Sequence, residues 1–151
     1  MYFHFPGGKA QLGAEALALA GRRLGAAISR TIEKAPDVPS AITALAGLLA
    51  SGLEASGYEL GCPIATTALE TAATSELIGT AANDAFASWL GALEARLTAN
   101  GVPEAQARRD AVLVLSALEG ALILARTARD KEPLEIVGED LAAYFSARMA
   151  R

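Results

Sequence analysis

Few residues in this chain have side chains suited to catalysis or to metal binding. The sequence contains one histidine, His4, and one cysteine, Cys62. Nothing pairs His4 with a nucleophile, so a structural or phosphate-facing role is favoured over a catalytic one. One His and one Cys make a metal site improbable, and no HExxH, Walker or GxGxxG pattern occurs. The sequence therefore predicts no catalytic residue, no metal and no cofactor.

Cys62 precedes Pro63 in a short link between two predicted helices. A redox-sensing thiol needs a basic neighbourhood that lowers its pKa, and the nearby sequence shows none. A buried structural thiol is therefore favoured over a sensor.

Glu119 is the one ionisable residue in the apolar run 111–125. A buried unpaired charge is costly. One interpretation therefore gives Glu119 an ion pair with Arg126 or Arg23, or a place at a subunit contact. The other makes it a polar anchor for a ligand hydroxyl or amine. The sequence leaves both open.

Three large apolar side chains, Phe86, Trp89 and Leu93, recur at helical spacing. An apolar stripe of this kind usually packs in a core. The alternative is the wall of a ligand pocket, because apolar, aromatic-lined clefts are the usual ligand sites. We expect Phe86 or Trp89 to contact such a pocket.

The elements that would position these residues are all helical. The chain is rich in Ala and Leu, and no segment alternates with period two for long enough to be a strand. Pro, Gly and Asn residues and N-capping side chains divide the chain into about six helices in one domain. These helices are expected at about 9–34, 39–56, 64–71, 75–99, 103–129 and 133–148.

The segment 110–129 is apolar on nearly all sides and should organise the fold. Such a helix must be covered by a second layer of its own chain or by another subunit. Its apolar run is shorter than the roughly 20 residues that span a bilayer, and charged residues crowd both ends. We therefore predict a soluble, dimer-forming helix without membrane contact.

Charge and composition narrow the class of protein further. The formal net charge is −4, which is a poor electrostatic footprint for a nucleic-acid binder. One Cys fits a reducing compartment, and no basic segment followed by an apolar one opens the chain. The cytoplasm is the expected location.

Four segments carry a resemblance to a known family. The opening YFHFPGGKAQL resembles the end of the DNA-binding module in TetR/AcrR-type transcriptional regulators. The segments GCPIATTALETA, FASWLGALEARL and ALEGALILARTARDKEPLEIVGEDLAAYF resemble the ligand-binding domain of the LmrA/YxaF-like branch. Their order and spacing together make the resemblance specific. It covers essentially the whole chain.

The resemblance implies a role for each part of the chain. Residues 1–8 would be a remnant of the DNA-binding module, and residues 9–151 a ligand-binding and dimerisation domain. Most of the helix-turn-helix, including the recognition helix that reads bases, would be lacking. Operator DNA is thus expected as a partner only of a chain with the complete module, where Tyr2, His4 and Lys9 would touch phosphates.

The resemblance also implies two sets of site residues. A small apolar or aromatic effector would lie between the first long helix, the short helix and the two helices that follow. Its expected contacts are Cys62, Leu69, Phe86, Trp89, Leu93 and Glu119. The last two long helices would form a four-helix bundle with a second subunit. Its expected contacts are Leu115, Leu118, Leu122, Leu141, Tyr144 and Phe145.

The function implied is that of a homodimeric repressor's effector-binding domain, not an enzyme. Ligand would shift the first long helix, so that the DNA-binding heads no longer match half-sites about 34 Å apart. The alternative is a stand-alone helical ligand carrier or a dimerising partner protein without DNA binding.

Overall fold

The computed structural model describes residues 6–71 and 73–150, and all of its regular structure is helical. The predicted all-α fold with about six helices is confirmed, and the helix boundaries agree to within a few residues. The helices are α1 (Gly8–Lys34), α2 (Val38–Ala55), α3 (Pro63–Thr71), α4 (Glu76–Ala99), α5 (Glu104–Ala128) and α6 (Glu132–Met149).

Local chemistry sets several of the helix ends. The Asp37 carboxylate accepts a hydrogen bond from the Ser40 amide at 2.7 Å and so caps α2. The Ser75 hydroxyl plays the same part for α4. Such side chains satisfy amides that have no partner within the helix. At the end of α5, Arg129 adopts a left-handed conformation with φ of 55°, a common way of terminating a helix.

The helices form one bundle around a shared core. α1 lies parallel to α4, α2 packs against α6, and α5 packs against both α4 and α6. The short α3 lies against α4 and α1. The largest fully buried side chains come from five of the six helices, α2 to α6: Trp89, Phe145, Ile42, Leu53, Ile64, Leu97, Leu134 and Val114.

Two glycines allow helices to approach closely. A Cβ atom placed on Gly21 of α1 would lie 2.7 Å from the Cβ atom of Ala85 on α4. A Cβ atom on Gly138 of α6 would lie 2.6 Å from the Cβ atom of Ala46 on α2. Carbon atoms attract best at about 3.5–4.0 Å, so neither site has room for a methyl group.

We expect Gly138→Ala to lower the free energy of unfolding by about 1–3 kcal/mol, the usual cost of overpacking a core. Gly91→Ala is the matched control, because Gly91 is an exposed helical glycine with nothing within 4 Å of an added Cβ. That control should gain about 0.5–1 kcal/mol from helix propensity. Urea unfolding of both variants measures the difference, and equal stabilities would contradict the close contact.

The helix α5 is covered on one side only. Its buried residues include Val114 and Leu118, whereas Leu113, Ile123 and Leu124 are 44%, 55% and 61% exposed. The sequence predicted cover on nearly all sides. In the part of the chain that the structure describes, no second layer of helices lies over the exposed side of α5. The chain itself therefore covers α5 on one side and not on the other.

Two helices, α2 and α5, are long and apolar enough to cross a membrane by length and composition alone. The apolar run 111–125 is short, but α5 as a whole has 25 residues and meets this criterion, so the length of the run does not by itself exclude a membrane. Each helix also contributes one face to the shared core. Core helices of soluble proteins meet the same length and composition criterion, so these two helices are weak support for membrane insertion.

Candidate functional site

The side chain of Glu119 lies at the centre of the candidate site. Glu119 projects from α5 toward the interior, and its Oε2 atom is buried without a hydrogen-bond partner in the described structure. Buried polar atoms usually have a partner. An orphaned carboxyl oxygen is therefore the first feature of this fold that packing does not explain.

One void touched by Glu119 lies inside the bundle, and we call it the inner cavity. It holds about 20 Å³, which is room for one water molecule. Apart from Glu119, all of its walls are apolar side chains from α1, α2, α4 and α5. They are Leu24, Ile28, Leu45, Leu48, Leu49, Trp89, Leu93, Leu115 and Leu118.

A second void touched by Glu119 opens between α3 and α5, and we call it the α3 cleft. It holds about 90 Å³. Its walls mix small, apolar and polar side chains. They are Gly61, Cys62, Ala65, Thr66, Leu69, Leu122, Ile123, Arg126 and Thr127.

A third void, the α1–α2 cleft, holds about 370 Å³ beside the link that leads into α3. It shares Leu24, Leu48 and Leu49 with the inner cavity. It shares Cys62 and Leu122 with the α3 cleft. The three voids are therefore separated by few side chains.

The size of the inner cavity limits what it can hold in this conformation. Ligand pockets for drug-sized molecules have volumes of about 300–1,000 Å³, far more than the 20 Å³ present. A larger molecule needs the separating side chains to move, so that the inner cavity joins the clefts. Because most of the walls of the three voids are apolar, the joined space favours a largely apolar molecule with one polar group near Glu119.

The Cys62 residue lines the α3 cleft and the α1–α2 cleft, and it is buried. Burial, together with the nearby Glu119 carboxyl group, raises the pKa of Cys62 to about 12. The Ala65 amide donates a hydrogen bond to Cys62 Sγ at 3.4 Å. Only the thiolate is an effective nucleophile, so these surroundings favour the structural interpretation of Cys62 over a redox sensor.

The surroundings of Glu119 favour its protonated form. Burial raises the pKa of Glu119 above its ordinary value, and a hydrogen bond with the Cys62 thiol opposes this shift. The predicted ion pair with Arg23 or Arg126 does not form, since no ion pair in the described structure includes Glu119. The carboxyl group therefore faces the voids without a cation at ion-pair distance, although Arg126 lines the same α3 cleft.

We expect Glu119→Gln to stabilise the protein at neutral pH. A raised pKa means that the folded state binds the proton more tightly than the unfolded state, so wild-type stability falls as pH rises from the ordinary value of 4.5 through the folded pKa. The amide has no proton to lose, so the variant escapes this fall. Its advantage should grow over that window and then level off.

Urea unfolding between about pH 4 and pH 8 measures this advantage. Glu139→Gln is the control, because Glu139 is an exposed residue of α6. A constant difference between wild type and Glu119→Gln across this range would contradict the raised pKa.

The aromatic residues of α4 divide between the inner cavity and the packing behind it. Trp89 is 1% exposed and lines the inner cavity with Leu93. The Trp89 Nε1–H donates to the Gly21 carbonyl oxygen at 3.2 Å. Phe86 packs edge-on against the Trp89 ring with centroids 5.4 Å apart and lines none of the three voids.

The structure brings five of the six predicted ligand contacts to the voids. Trp89, Leu93 and Glu119 meet in the inner cavity. Cys62 and Leu69 reach the α3 cleft, where Leu69 is 81% exposed.

Of the predicted phosphate contacts, Lys9 is exposed in the first turn of α1. Tyr2 and His4 lie outside the described residues. No observation on the described residues therefore tests the DNA-facing role of this segment.

Sequence analysis missed most walls of the inner cavity. Leu48 was not singled out, and Leu115 and Leu118 were assigned to the subunit interface although both line this cavity. Helical periodicity shows that a side chain faces inward but does not separate tight packing from a cavity wall. No signal in a single sequence makes that distinction.

The outer sides of α5 and α6 carry the largest exposed apolar side chains of these two helices. We call this surface the α5–α6 face. The two helices are antiparallel, since Asp110 near the start of α5 pairs with Arg148 near the end of α6 at 2.9 Å. The α5–α6 face comprises Val112, Leu113, Ile123, Leu124, Ile136 and Tyr144, each at least 42% exposed. Several large exposed apolar side chains on one pair of helices are typical of an interaction site.

Three predicted interface residues lie elsewhere. Leu118, Leu122 and Phe145 are 3%, 5% and 1% exposed and pack in the core of their own chain. Because their own chain covers them, they are not available to a second subunit as the sequence predicted. Leu115 and Leu141 are partly buried against the same core. Of the six predicted interface residues, only Tyr144, at 47% exposure, belongs to the α5–α6 face.

Among residues 6–71 and 73–150, no group of three or more His, Cys, Asp and Glu side chains could hold a metal ion. The candidate site is a set of largely apolar voids around the Glu119 carboxyl group and the Cys62 thiol. Such an arrangement can bind and orient a small molecule.

Comparisons with known proteins agree on one group. Residues 39–140 match the family described as transcriptional regulator LmrA/YxaF-like, C-terminal domain. The chain is 30% identical to the uncharacterized HTH-type transcriptional regulator YxaF of Bacillus subtilis, over 93% of this chain and 74% of the relative. It is 30% identical to the HTH-type transcriptional regulator LmrA of the same organism, over 89% and 71%.

A third relative comes from another organism. The uncharacterized HTH-type transcriptional regulator Rv0196 of Mycobacterium tuberculosis is 34% identical over 98% of this chain and 77% of the relative. All three relatives are named as transcriptional regulators and none as an enzyme.

Proposed function

Because the chain belongs to the LmrA/YxaF-like branch of TetR-type transcriptional regulators, we propose that it forms the effector-binding and dimerisation domain of a cytoplasmic repressor. The effector is a small, largely apolar or aromatic molecule. Operator DNA is a partner only of a chain that carries the complete helix-turn-helix. In that chain, effector binding releases the operator DNA.

The observation that carries the effector proposal is the unpartnered Oε2 atom of Glu119 at the junction of the inner cavity and the α3 cleft. An apolar space with one convergent polar group is the usual form of a small-molecule site. The small volume of the inner cavity agrees with a conformation that has to open when the effector enters.

The signal would leave the site through α1. Leu24 and Ile28 of α1 line the inner cavity, and the same helix extends from there to Gly8. With a rise of 1.5 Å per residue, the 27 residues of α1 span about 40 Å. A small tilt at Leu24 therefore becomes a larger displacement at the end where DNA-binding helices would be attached.

The dimerisation proposal rests on the α5–α6 face. Leu124 is 61% exposed there, and Gly120 beside it has open space where a Cβ would be. A second copy of this face would cover the apolar side chains by the two-fold arrangement that is commonest in homodimers. Gly120 would let the backbones approach closely.

Native mass spectrometry tests both proposals. A mass near twice the chain's 15.5 kDa supports the dimer, and an additional small mass reveals a retained effector. A monomer at micromolar concentration would contradict the dimerisation domain.

We expect Leu124→Asp to weaken dimerisation on the order of 100-fold, since each subunit would place a charge in the apolar interface. Leu60→Asp is the control, because Leu60 is 71% exposed in the link between α2 and α3 and lies outside the α5–α6 face. Analytical ultracentrifugation over a concentration series measures both variants. If Leu124→Asp dissociates no more than Leu60→Asp, the α5–α6 face is not the interface.

A further inference from the structure

The unpartnered oxygen of Glu119 carries information about the effector's chemistry. Oε2 can accept a hydrogen bond, and the described structure provides no donor for it. The polar neighbour of the carboxyl group is the Cys62 thiol, and a thiol is a weak donor. The site therefore presents an acceptor to whatever occupies the voids.

The charges around Glu119 define the site further. Neither Arg23 in the α1–α2 cleft nor Arg126 in the α3 cleft forms an ion pair with Glu119. Both arginines are exposed, so water and salt screen them. The inner end of the site thus has one acidic group and no cation to balance it.

We propose that the effector is an amine: a protonated nitrogen on an apolar body, with an N–H group that donates to Glu119 Oε2. This inference rests on the proposed effector site. A hydrogen bond with two ionised partners is about twice as strong as a neutral one. The burial of Oε2 reduces screening by water, which strengthens the attraction further. The apolar body then occupies the space bounded by Leu49, Trp89 and Leu122.

A neutral hydroxyl compound would gain less from the same site. Its O–H group can donate to Oε2, but it brings no positive charge, so Glu119 either keeps a costly uncompensated charge or takes up a proton. A protonated amine both compensates the charge of Glu119 and donates the hydrogen bond to Oε2. The preference for an amine over an alcohol of equal shape is thus the measurable consequence.

The experiment uses three probes that share one apolar ring: cyclohexylmethylamine, cyclohexylmethanol and methylcyclohexane. None of them absorbs near 280 nm. Trp89 is the chain's one tryptophan and lines the inner cavity, so its fluorescence reports binding, and calorimetry checks the dissociation constants. Each probe is titrated into wild type, Glu119→Gln and the control Glu139→Gln, whose exposed side chain lies on α6.

We expect the amine to bind wild type and Glu139→Gln about tenfold more tightly than the alcohol or the hydrocarbon. Glu119→Gln should lose that preference while its affinity for the hydrocarbon stays within about twofold of wild type. Equal binding of the three probes to wild type would overturn the proposal without reference to any variant. The proposal would also be overturned if the amine bound Glu119→Gln as tightly as it binds wild type.

These outcomes also separate the inference from the proposed function. If the hydrocarbon binds and quenches Trp89 while the amine gains nothing, the effector site stands and only its preference for amines fails. If none of the three probes binds at millimolar concentration, the effector site itself fails, and the inference with it.

Discussion

Replacing Arg148 by methionine is expected to lower the free energy of unfolding by about 3–5 kcal/mol. Asp110 is 3% exposed, and its Oδ1 atom accepts hydrogen bonds from Gln106 at 2.8 Å and from Arg148 at 2.9 Å. Its Oδ2 atom is buried without a partner in the described structure. Removing Arg148 leaves this carboxylate in the interior with one neutral donor.

The reverse change should cost less. Asp110→Asn leaves Arg148, whose side chain is 33% exposed and can reach water. We expect a loss of about 1–3 kcal/mol, the cost of a weakened hydrogen bond to a charged group. The double variant Asp110→Leu with Arg148→Met should recover to within about 1 kcal/mol of wild type, since a buried ion pair can often be exchanged for apolar residues.

Urea unfolding of the two single variants and the double variant gives the three free energies. Equal costs for Arg148→Met and Asp110→Asn would mean that burial of the carboxylate is not what makes the pair important. A double variant as unstable as Arg148→Met would lead to the same conclusion.

Replacing Trp89 by alanine is expected to cost about 3–5 kcal/mol, the usual range for removing a large buried aromatic side chain. Trp89 is 1% exposed, packs against Phe86 and donates a hydrogen bond to Gly21. Its loss also enlarges the inner cavity that it lines. Thermal unfolding followed by circular dichroism is the suitable measurement, because the variant has no tryptophan.

Two controls connect this loss to the cavity. Trp89→Phe keeps a ring and gives up the hydrogen bond to the carbonyl oxygen of Gly21, so it should cost less than alanine. Indole should raise the melting temperature of Trp89→Ala by filling the vacated space, as ligands stabilise proteins whose folded state they bind. Indole that stabilises wild type and Trp89→Ala equally would show that the variant has no such space.

The sequence was sufficient to predict the helices because their ends are chemically marked. Asp37 and Ser75 cap α2 and α4, and Pro133 lies in the first turn of α6. These signals act over three or four residues. They can be interpreted without knowing which distant parts of the chain pack together.

The buried side of α5 could not be predicted in the same way. Val112 and Val114 are both apolar, yet the first is 42% exposed and the second 1%. When a helix is apolar around its whole circumference, periodicity does not indicate which side faces its own chain. That is why Leu118 and Leu122 were assigned to the subunit interface although they are in the core.

The candidate site shows a similar limit. Glu119 was identifiable as the one carboxylate in an apolar run, but its position between two voids depends on α1, α2 and α3 together. Its neighbour Cys62 is far away in sequence and is brought to it by the turn into α3. Only the assembled fold shows that the pair shares one wall.

The contact between Gly138 and Ala46 has a mechanical consequence. Ala46 lies on α2 next to Leu45, which lines the inner cavity, while Gly138 lies on α6, which contributes to the α5–α6 face. No flexible side chain separates the two backbones at this point, so the helices have no slack to absorb a movement of α2. A molecule that pushes α2 outward therefore pushes α6 as well. If the α5–α6 face forms the proposed subunit interface, occupancy of the cavity and assembly of two subunits are thermodynamically linked, and each alters the other by the same factor.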